Sequence, residues 1–154
     1  MTASQADAFA WHDGMLVGYA PIDAAHKEFV VRVAGVLSAA DAEVAAALQA
    51  LAIHACEHFA AEDQWMADSN FPARECHSAE HAAVLKSVAG VQARVAAGDA
   101  AAARSLASAL AEWFPGHTDY LDAALAHWMC KQQHGGKPVV VRRSLPVGPA
   151  LAGA

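Results

Sequence analysis

The sequence predicts an all-α protein: an up-down-up-down antiparallel four-helix bundle with an N-terminal arm and an irregular C-terminal tail. Three observations carry this. The chain of 154 residues is rich in Ala and Leu, and long stretches lack Gly and Pro, a composition that favours helix. Apolar residues recur at alternating spacings of three and four, the pattern of bundle-forming helices. Short breaks divide that pattern into four segments, and short connections make successive helices antiparallel neighbours.

Residues 1–20 read as an arm packed on the body, with Trp11, Leu16 and Val17 as apolar anchors. Pro21 suits the first turn of a helix. Helix one is expected over about 21–39, with Ile22, Phe29, Val33 and Leu37 on one stripe. Asp41 is expected to cap helix two, about 42–67, whose seam is Val44, Leu48, Leu51, Ala55, His58, Glu62 and Trp65. Asn70-Phe71-Pro72 breaks the pattern, and Pro72 opens helix three. That helix carries His77, His81, Val84, Val88, Val91 and Val95, and Gly98 ends it. Asp99 caps helix four, about 100–131, with a seam of Leu106, Leu110, Trp113, His117, Tyr120 or Leu121, Ala124 and Trp128. The bundle thus takes residues 1–134, arm included. Residues 135–154 form a tail containing Pro138, Pro146, Pro149, Lys137, Arg142 and Arg143. Its Val139-Val140-Val141 can pack on the bundle as an extended strip, and the tail is the candidate contact for a protein partner.

The net charge of −6 argues against nucleic acid as the main partner. No run of 18 or more apolar residues suggests a membrane span. The first ten residues lack the basic start and apolar stretch of a signal peptide, so a cytoplasmic protein is expected. Cys56, Cys76 and Cys130 form no C-x-x-C pair, which argues against a disulfide framework. They are expected as small buried packing residues.

Against this background the polar residues of the seams stand out. His58, Glu62, His77, His81 and His117 occupy core positions, with Leu, Val or Trp above and below them. A buried polar group without a partner costs roughly 1–3 kcal/mol. Several would consume much of the stability of about 5–15 kcal/mol that a small domain has. Metal coordination satisfies them together. His58 with Glu62, and His77 with His81, are four apart and share a helical face. His26 lies upstream in helix one. Asp122 follows His117 by five residues, and at about 100° per residue a regular helix rotates it roughly 140° away. By spacing alone, Asp122 is as readily a solvated acid on the outer face. Pro115-Gly116, or a single wide turn, offers a way to bring it inward. Five imidazoles and two carboxylates suit a pair of iron ions, since carboxylate can bridge two metals. Zinc sites, with four ligands around one ion, fit seven poorly. His54 reads as a rim residue behind the ligands, and His12, His127 and His134 as exposed or capping.

The pattern resembles the hemerythrin family in its bacterial form, over about residues 9–131. The resemblance runs through Trp11, Leu16-Val17-Gly18, Ile22-Asp23-Ala24-Ala25-His26-Lys27 and His58-Phe59-Ala60-Ala61-Glu62-Asp63-Gln64-Trp65-Met66. It continues through His77-x-x-x-His81 and Trp113-x-x-x-His117-x-x-x-x-Asp122. It implies a non-haem di-iron centre that binds O2 reversibly, for carriage, storage or sensing, rather than an enzyme. His77, His81 and His117 would hold one iron, and His26 and His58 the other, with a position left free. Glu62 and Asp122 would bridge the pair alongside an oxo or hydroxo bridge. Phe59, Trp113 and Phe114 flank these residues and would line the O2 pocket; ordinary core packing is their other reading. The chain departs from the family at Ala25, where Gln is common, at His54, where an aromatic is usual, and at Pro115-Gly116. None of these removes a ligand, and all bear on the pocket's shape. The rival functions are a di-iron oxidase, peroxidase or nitric-oxide-handling enzyme, and an oxygen-responsive signalling module. Oxygenase-type di-iron sites use Glu-x-x-His pairs, and no Glu here has His three residues on.

Overall fold

The computed structural model describes residues 8–140. Four long helical rods make up the bundle. After a short 3-10 turn at Asp13–Met15 come α1 (Ala20–Ser38), α2 (Val44–Asp68) and α3 (Arg74–Ala96). The fourth rod is α4 (Ala100–His117), a π-helical turn (Thr118–Asp122) and α5 (Ala123–His134). Rods adjacent in sequence pack together, and α1 closes the ring against α4. No strand occurs among the described residues.

The starts and stops follow local chemistry. Pro21 lies in the first turn of α1, where its missing N–H costs nothing. Asp99 caps α4 by accepting from the Ala102 amide at 3.2 Å. Gly98 follows α3 with φ +102°, a conformation that suits glycine. Asp41, expected to cap helix two, does not. The helix begins three residues later, and Asp41 instead pairs with Arg104 Nη2 at 2.5 Å. Pro72 sits in the turn before α3 rather than in its first turn.

The arm is held by one buried acid. Asp23 accepts from the Val17 amide at 2.8 Å and the Gly18 amide at 3.1 Å. Phe9, Trp11 and Met15 pack against the bundle core. Gly18, at φ +86°, lies under the start of the tail, where a Cβ would come within 2.6 Å of Pro138 and 3.1 Å of Val140. Val140 therefore packs as expected of the apolar strip, while Val139 is exposed. Val141, Arg142, Arg143, Pro146 and Pro149 lie outside the described residues.

Two apolar clusters fill the interior. One includes Phe29, Leu51, Phe59, Val84, Leu110 and Phe114; the other includes Ile22, Met66, Phe71, Leu125 and Met129. Each rod passes from one cluster to the other, and the ionisable seam residues fall at the crossing. His26 lies between Ile22 and Phe29, and His58 and Glu62 between Ala55 and Met66. His77 and His81 lie between Phe71 and Val84, and His117 and Asp122 between Phe114 and Leu125. The result is a polar slab sealed between two oily plugs.

Two expectations are corrected by burial. Cys130 is buried, but Cys56 and Cys76 are exposed: they lie two and one positions before His58 and His77, so they are turned off the inward stripe by about 200° and 100°. In the fourth rod, the buried residues after His117 are Thr118, Asp122, Leu125, Ala126, Met129 and Cys130, whereas Tyr120 is 82% exposed. The wide turn absorbs one extra residue, so the seam beyond it advances by one.

Helix α2 has a window of mean hydropathy 1.3, long and apolar enough by length and composition to cross a membrane, although no unbroken apolar run of that length occurs. Its buried face carries His54, His58 and Glu62 inside the bundle, as befits a core helix.

Candidate metal centre

All seven candidate ligands meet in the polar slab. Each is at most 7% exposed. Glu62 and Asp122 stand at the middle, and each divides its oxygens between two groups of histidines. Glu62 Oε2 faces His77 Nε2 at 3.4 Å and His81 Nε2 at 3.2 Å, while its Oε1 meets His58 Nε2 at 2.8 Å. Asp122 Oδ1 faces His77 Nε2 at 2.9 Å and His117 Nε2 at 3.1 Å, while its Oδ2 meets His26 Nε2 at 2.9 Å. One half of the centre thus has three imidazoles and the other has two, with one oxygen of each carboxylate turned to each half.

The local fold explains how each residue arrives. His58 with Glu62, and His77 with His81, come from ordinary i, i+4 pairs on α2 and α3. Asp122 comes from the π turn. An i→i+5 turn holds residues five apart on the same side of the rod, which a regular helix would separate. Pro115 sits within α4 just before this turn and removes one backbone donor from the ladder.

The donor set fits cations. Among buried polar atoms without a hydrogen-bond partner are Glu62 Oε2, both oxygens of Asp122, and Nε2 of His26, His77, His81 and His117. Their separations are short, yet the directions do not make hydrogen bonds. Orphaned groups at this density are foreign to a packed interior. Their ligand atoms fall into two groups able to hold a metal ion: Glu62, His77, His81, His117 and Asp122, and His26, His58 and Glu62, with atoms within 4.8 Å of one another in each group. His26 draws Asp122 into the second group as well.

Charge in the metal-free chain is arranged around the same pair. Burial alone would raise the pKa of Glu62. The facing imidazoles of His58, His77 and His81 outweigh that and hold it well below the ordinary carboxylate range. Asp122 is likewise held low against burial by His117, His26 and His77. Burial lowers His77, but Asp122 and Glu62 overcome it and raise its pKa to about 9. His117 is raised, against burial, by Asp122 and Glu80. Protons on these rings stand in for the positive charge that a metal would bring.

The aromatic residues surround the slab. Phe59 stacks on His81 with ring centroids 4.1 Å apart, and Trp113 stacks on His117 at 4.2 Å. Phe114 meets His26 edge-on at 5.0 Å and stacks on Phe29 at 5.1 Å. Phe29 also approaches His58, at 6.4 Å. Sequence reasoning placed Phe29 only in the core; its position one turn after His26 was the available signal.

Three further polar residues back the centre. His54 is buried, and its Nε2–H donates to the Ala25 carbonyl at 3.0 Å. Burial, reinforced by His58, lowers its pKa. Asp63 and Glu80, which sequence reasoning did not single out, receive the outward Nδ1 of His81 and His117 at 2.9 and 2.7 Å. Each follows or precedes a ligand candidate directly in sequence, but one carboxylate among many on a helix surface gives no sign of its partner. His12, His127 and His134 are exposed.

Comparison with known proteins agrees with this geometry. Residues 17–127 match the model of the hemerythrin HHE cation binding domain. A bacteriohemerythrin of Ralstonia nicotianae (strain ATCC BAA-1114 / GMI1000) is 36% identical over 122 residues, covering 79% of this chain and 89% of that protein. No solved structure gives a significant match. By the match across most of its length, and by the histidine–carboxylate slab its helices enclose, the chain belongs to the hemerythrin family.

Proposed function

We propose that this protein binds O2 reversibly at two iron ions held by His26, His58, Glu62, His77, His81, His117 and Asp122. The observation that carries the proposal is the division of oxygens at Glu62 and Asp122. A carboxylate with one oxygen toward each histidine group is arranged to bridge two ions. His77, His81 and His117 saturate one half. His26 and His58 supply one imidazole fewer to the other, which leaves room for a small ligand there.

An iron pair supplies the two electrons that O2 uptake draws. The chain's own residues do the rest. Glu62 and Asp122 would hold the iron pair between the two histidine groups. Phe114 and Phe29 wall the two-histidine half and keep water away, while Phe59 and Trp113 fix His81 and His117 by stacking. Exclusion of water limits proton leakage and the loss of reduced oxygen. Histidine-rich ligation leaves few negative charges on the metals, which favours binding over oxidase chemistry. Oxygen carriage, storage or sensing follows from such a site.

The test is an absorption spectrum recorded with metal analysis. Protein made with adequate iron is expected to hold two irons per chain. After anaerobic reduction, O2 should restore a charge-transfer band that disappears on removing the gas. One metal per chain, or zinc, would sink the two-iron reading; irreversible oxidation on the first exposure would favour an enzyme or a sensor.

A further inference from the structure

The two halves of the centre differ in what stands behind their rings. On the three-histidine half, two rings are held from outside. His81 Nδ1–H donates to Asp63 Oδ1 at 2.9 Å, and the same oxygen receives Ser78 Oγ at 2.9 Å. His117 Nδ1–H donates to Glu80 Oε2 at 2.7 Å. The rings are at most 2% exposed, whereas the carboxylates reach water at 40% and 44% exposure. On the two-histidine half nothing comparable exists among the described residues: Nδ1 of His26 and Nδ1 of His58 are buried without a hydrogen-bond partner, as is Nδ1 of His77, the third ring of the other half.

A carboxylate on the outer nitrogen fixes which nitrogen carries the proton, restrains the ring and makes the inner nitrogen a stronger donor. In their neutral form His81 and His117 therefore keep the proton on the outer nitrogen and turn the Nε2 lone pair inward. Of the two central carboxylates, Glu62 shows the same bias, whereas neither oxygen of Asp122 has a hydrogen-bond partner. Glu62 Oε1, on the two-histidine half, is already engaged by His58 at 2.8 Å. Glu62 Oε2, on the other half, has no hydrogen-bond partner. An ion entering the three-histidine half breaks no such bond, and in binding Oε2 and Oδ1 it fixes Glu62 and Asp122 for the second.

We propose that Asp63 and Glu80 are positioning residues that make the three-histidine half the tighter site, which fills first and empties last. The proposal rests on the two-ion reading above and adds an order to it.

Anaerobic titration of the metal-free full-length chain with Co2+, followed by visible absorption and chelator competition, reads this order. The unmodified chain is expected to bind in two steps of different affinity. Asp63→Asn and Glu80→Gln should each weaken the tighter step by about 10–100-fold, the usual range for losing such an outer partner. Asp63→Glu should recover part of the loss. His58→Ala should remove the weaker step and spare the tighter one. Both carboxylates are exposed enough for these variants to fold, which circular dichroism checks. Two ions bound with the tighter step unchanged in both Asn and Gln variants would overturn the order while leaving the two-ion reading intact. Loss of the tighter step in His58→Ala would do the same. A single ion bound by the unmodified chain would remove both.

Discussion

Asp122 Oδ1 lies 3.1 Å from His117 Nε2, although five residues of chain would put the two on different faces of a regular helix. The π turn at Thr118–Asp122 closes that gap. It converts a residue that spacing left undecided into one of the two central acids of the slab, and it moves the following seam onto Leu125, Ala126 and Met129.

If the wide turn is one residue accommodated within an α-helical rod, removing one residue should heal it. Tyr120 is exposed, so its deletion takes little packing with it. The deletion leaves His117 and Asp122 four positions apart on a regular helix, on one face, with the register of α5 preserved. The metal-free deletion variant is expected to fold with a melting temperature at or above that of the parent. A fall of more than about 5 °C, which for a chain of this size is more than 1 kcal/mol, would show that packing itself requires the wide turn.

Glu62 touches histidines of both halves. Glu62→Ala should therefore lower iron per chain from the proposed two to one or none, measured by elemental analysis. The same change strands His58, His77 and His81 in the metal-free protein, and removing one partner of a buried charge cluster costs about 3–5 kcal/mol. Full iron occupancy with an unchanged spectrum would refute the bridging role.

The pH dependence of the metal-free chain has a definite sign. His77 is raised from 6.5 to about 9 in the folded state. Its stabilisation is fully present below pH 6.5 and is lost as pH rises through 9, by up to roughly 3 kcal/mol. Glu62 and Asp122 are held low, so their contribution is present above about pH 4 and is lost as pH falls further. Urea unfolding of chelator-treated protein should therefore show a maximum between about pH 4.5 and 6.5 and a decline toward pH 9. Metal-loaded protein should gain relative stability over that alkaline limb, because ligation needs neutral imidazole. A flat profile for the metal-free chain from pH 6 to 9 would contradict the coupling of His77 to the two acids.

Phe114 covers His26 and stacks on Phe29. Phe114→Ala should destabilise the fold by about 3–5 kcal/mol, the range for a large-to-small change in a core. Phe114→Leu keeps more of the volume and is the better probe of the proposed oxygen site. Water reaches the two-histidine half more easily in it, and the oxygenated iron protein should oxidise several-fold faster in stopped-flow or spectrophotometric decay. An unchanged decay rate would assign Phe114 to packing alone.

Much of this was legible in the chain because helical periodicity is local. Residues four apart share a face whatever surrounds them, so His58 with Glu62 and His77 with His81 could be read as inward pairs among Leu and Val. Helix ends were legible where a side chain acts on its own turn, as at Pro21, Asp99 and Gly98. Asp41 pairs instead with Arg104 of another rod, a relation that the local sequence does not carry. Cys56 and Cys76 are exposed because they precede inward histidines by two and one positions and so point off the inward face, whatever the general burial tendency of cysteine.

The sequence by itself determined the bundle and six inward ligand candidates, since both follow from apolar period and residue type along single helices. Only the tertiary structure decided the rest. It turned Asp122 inward, split the carboxylate oxygens between two histidine groups, set Phe114 over His26 and Phe29 beside His58, and placed Asp63 and Glu80 behind two rings. These are relations between rods, or a register change within one. They depend on distances across the bundle that no spacing along the chain encodes.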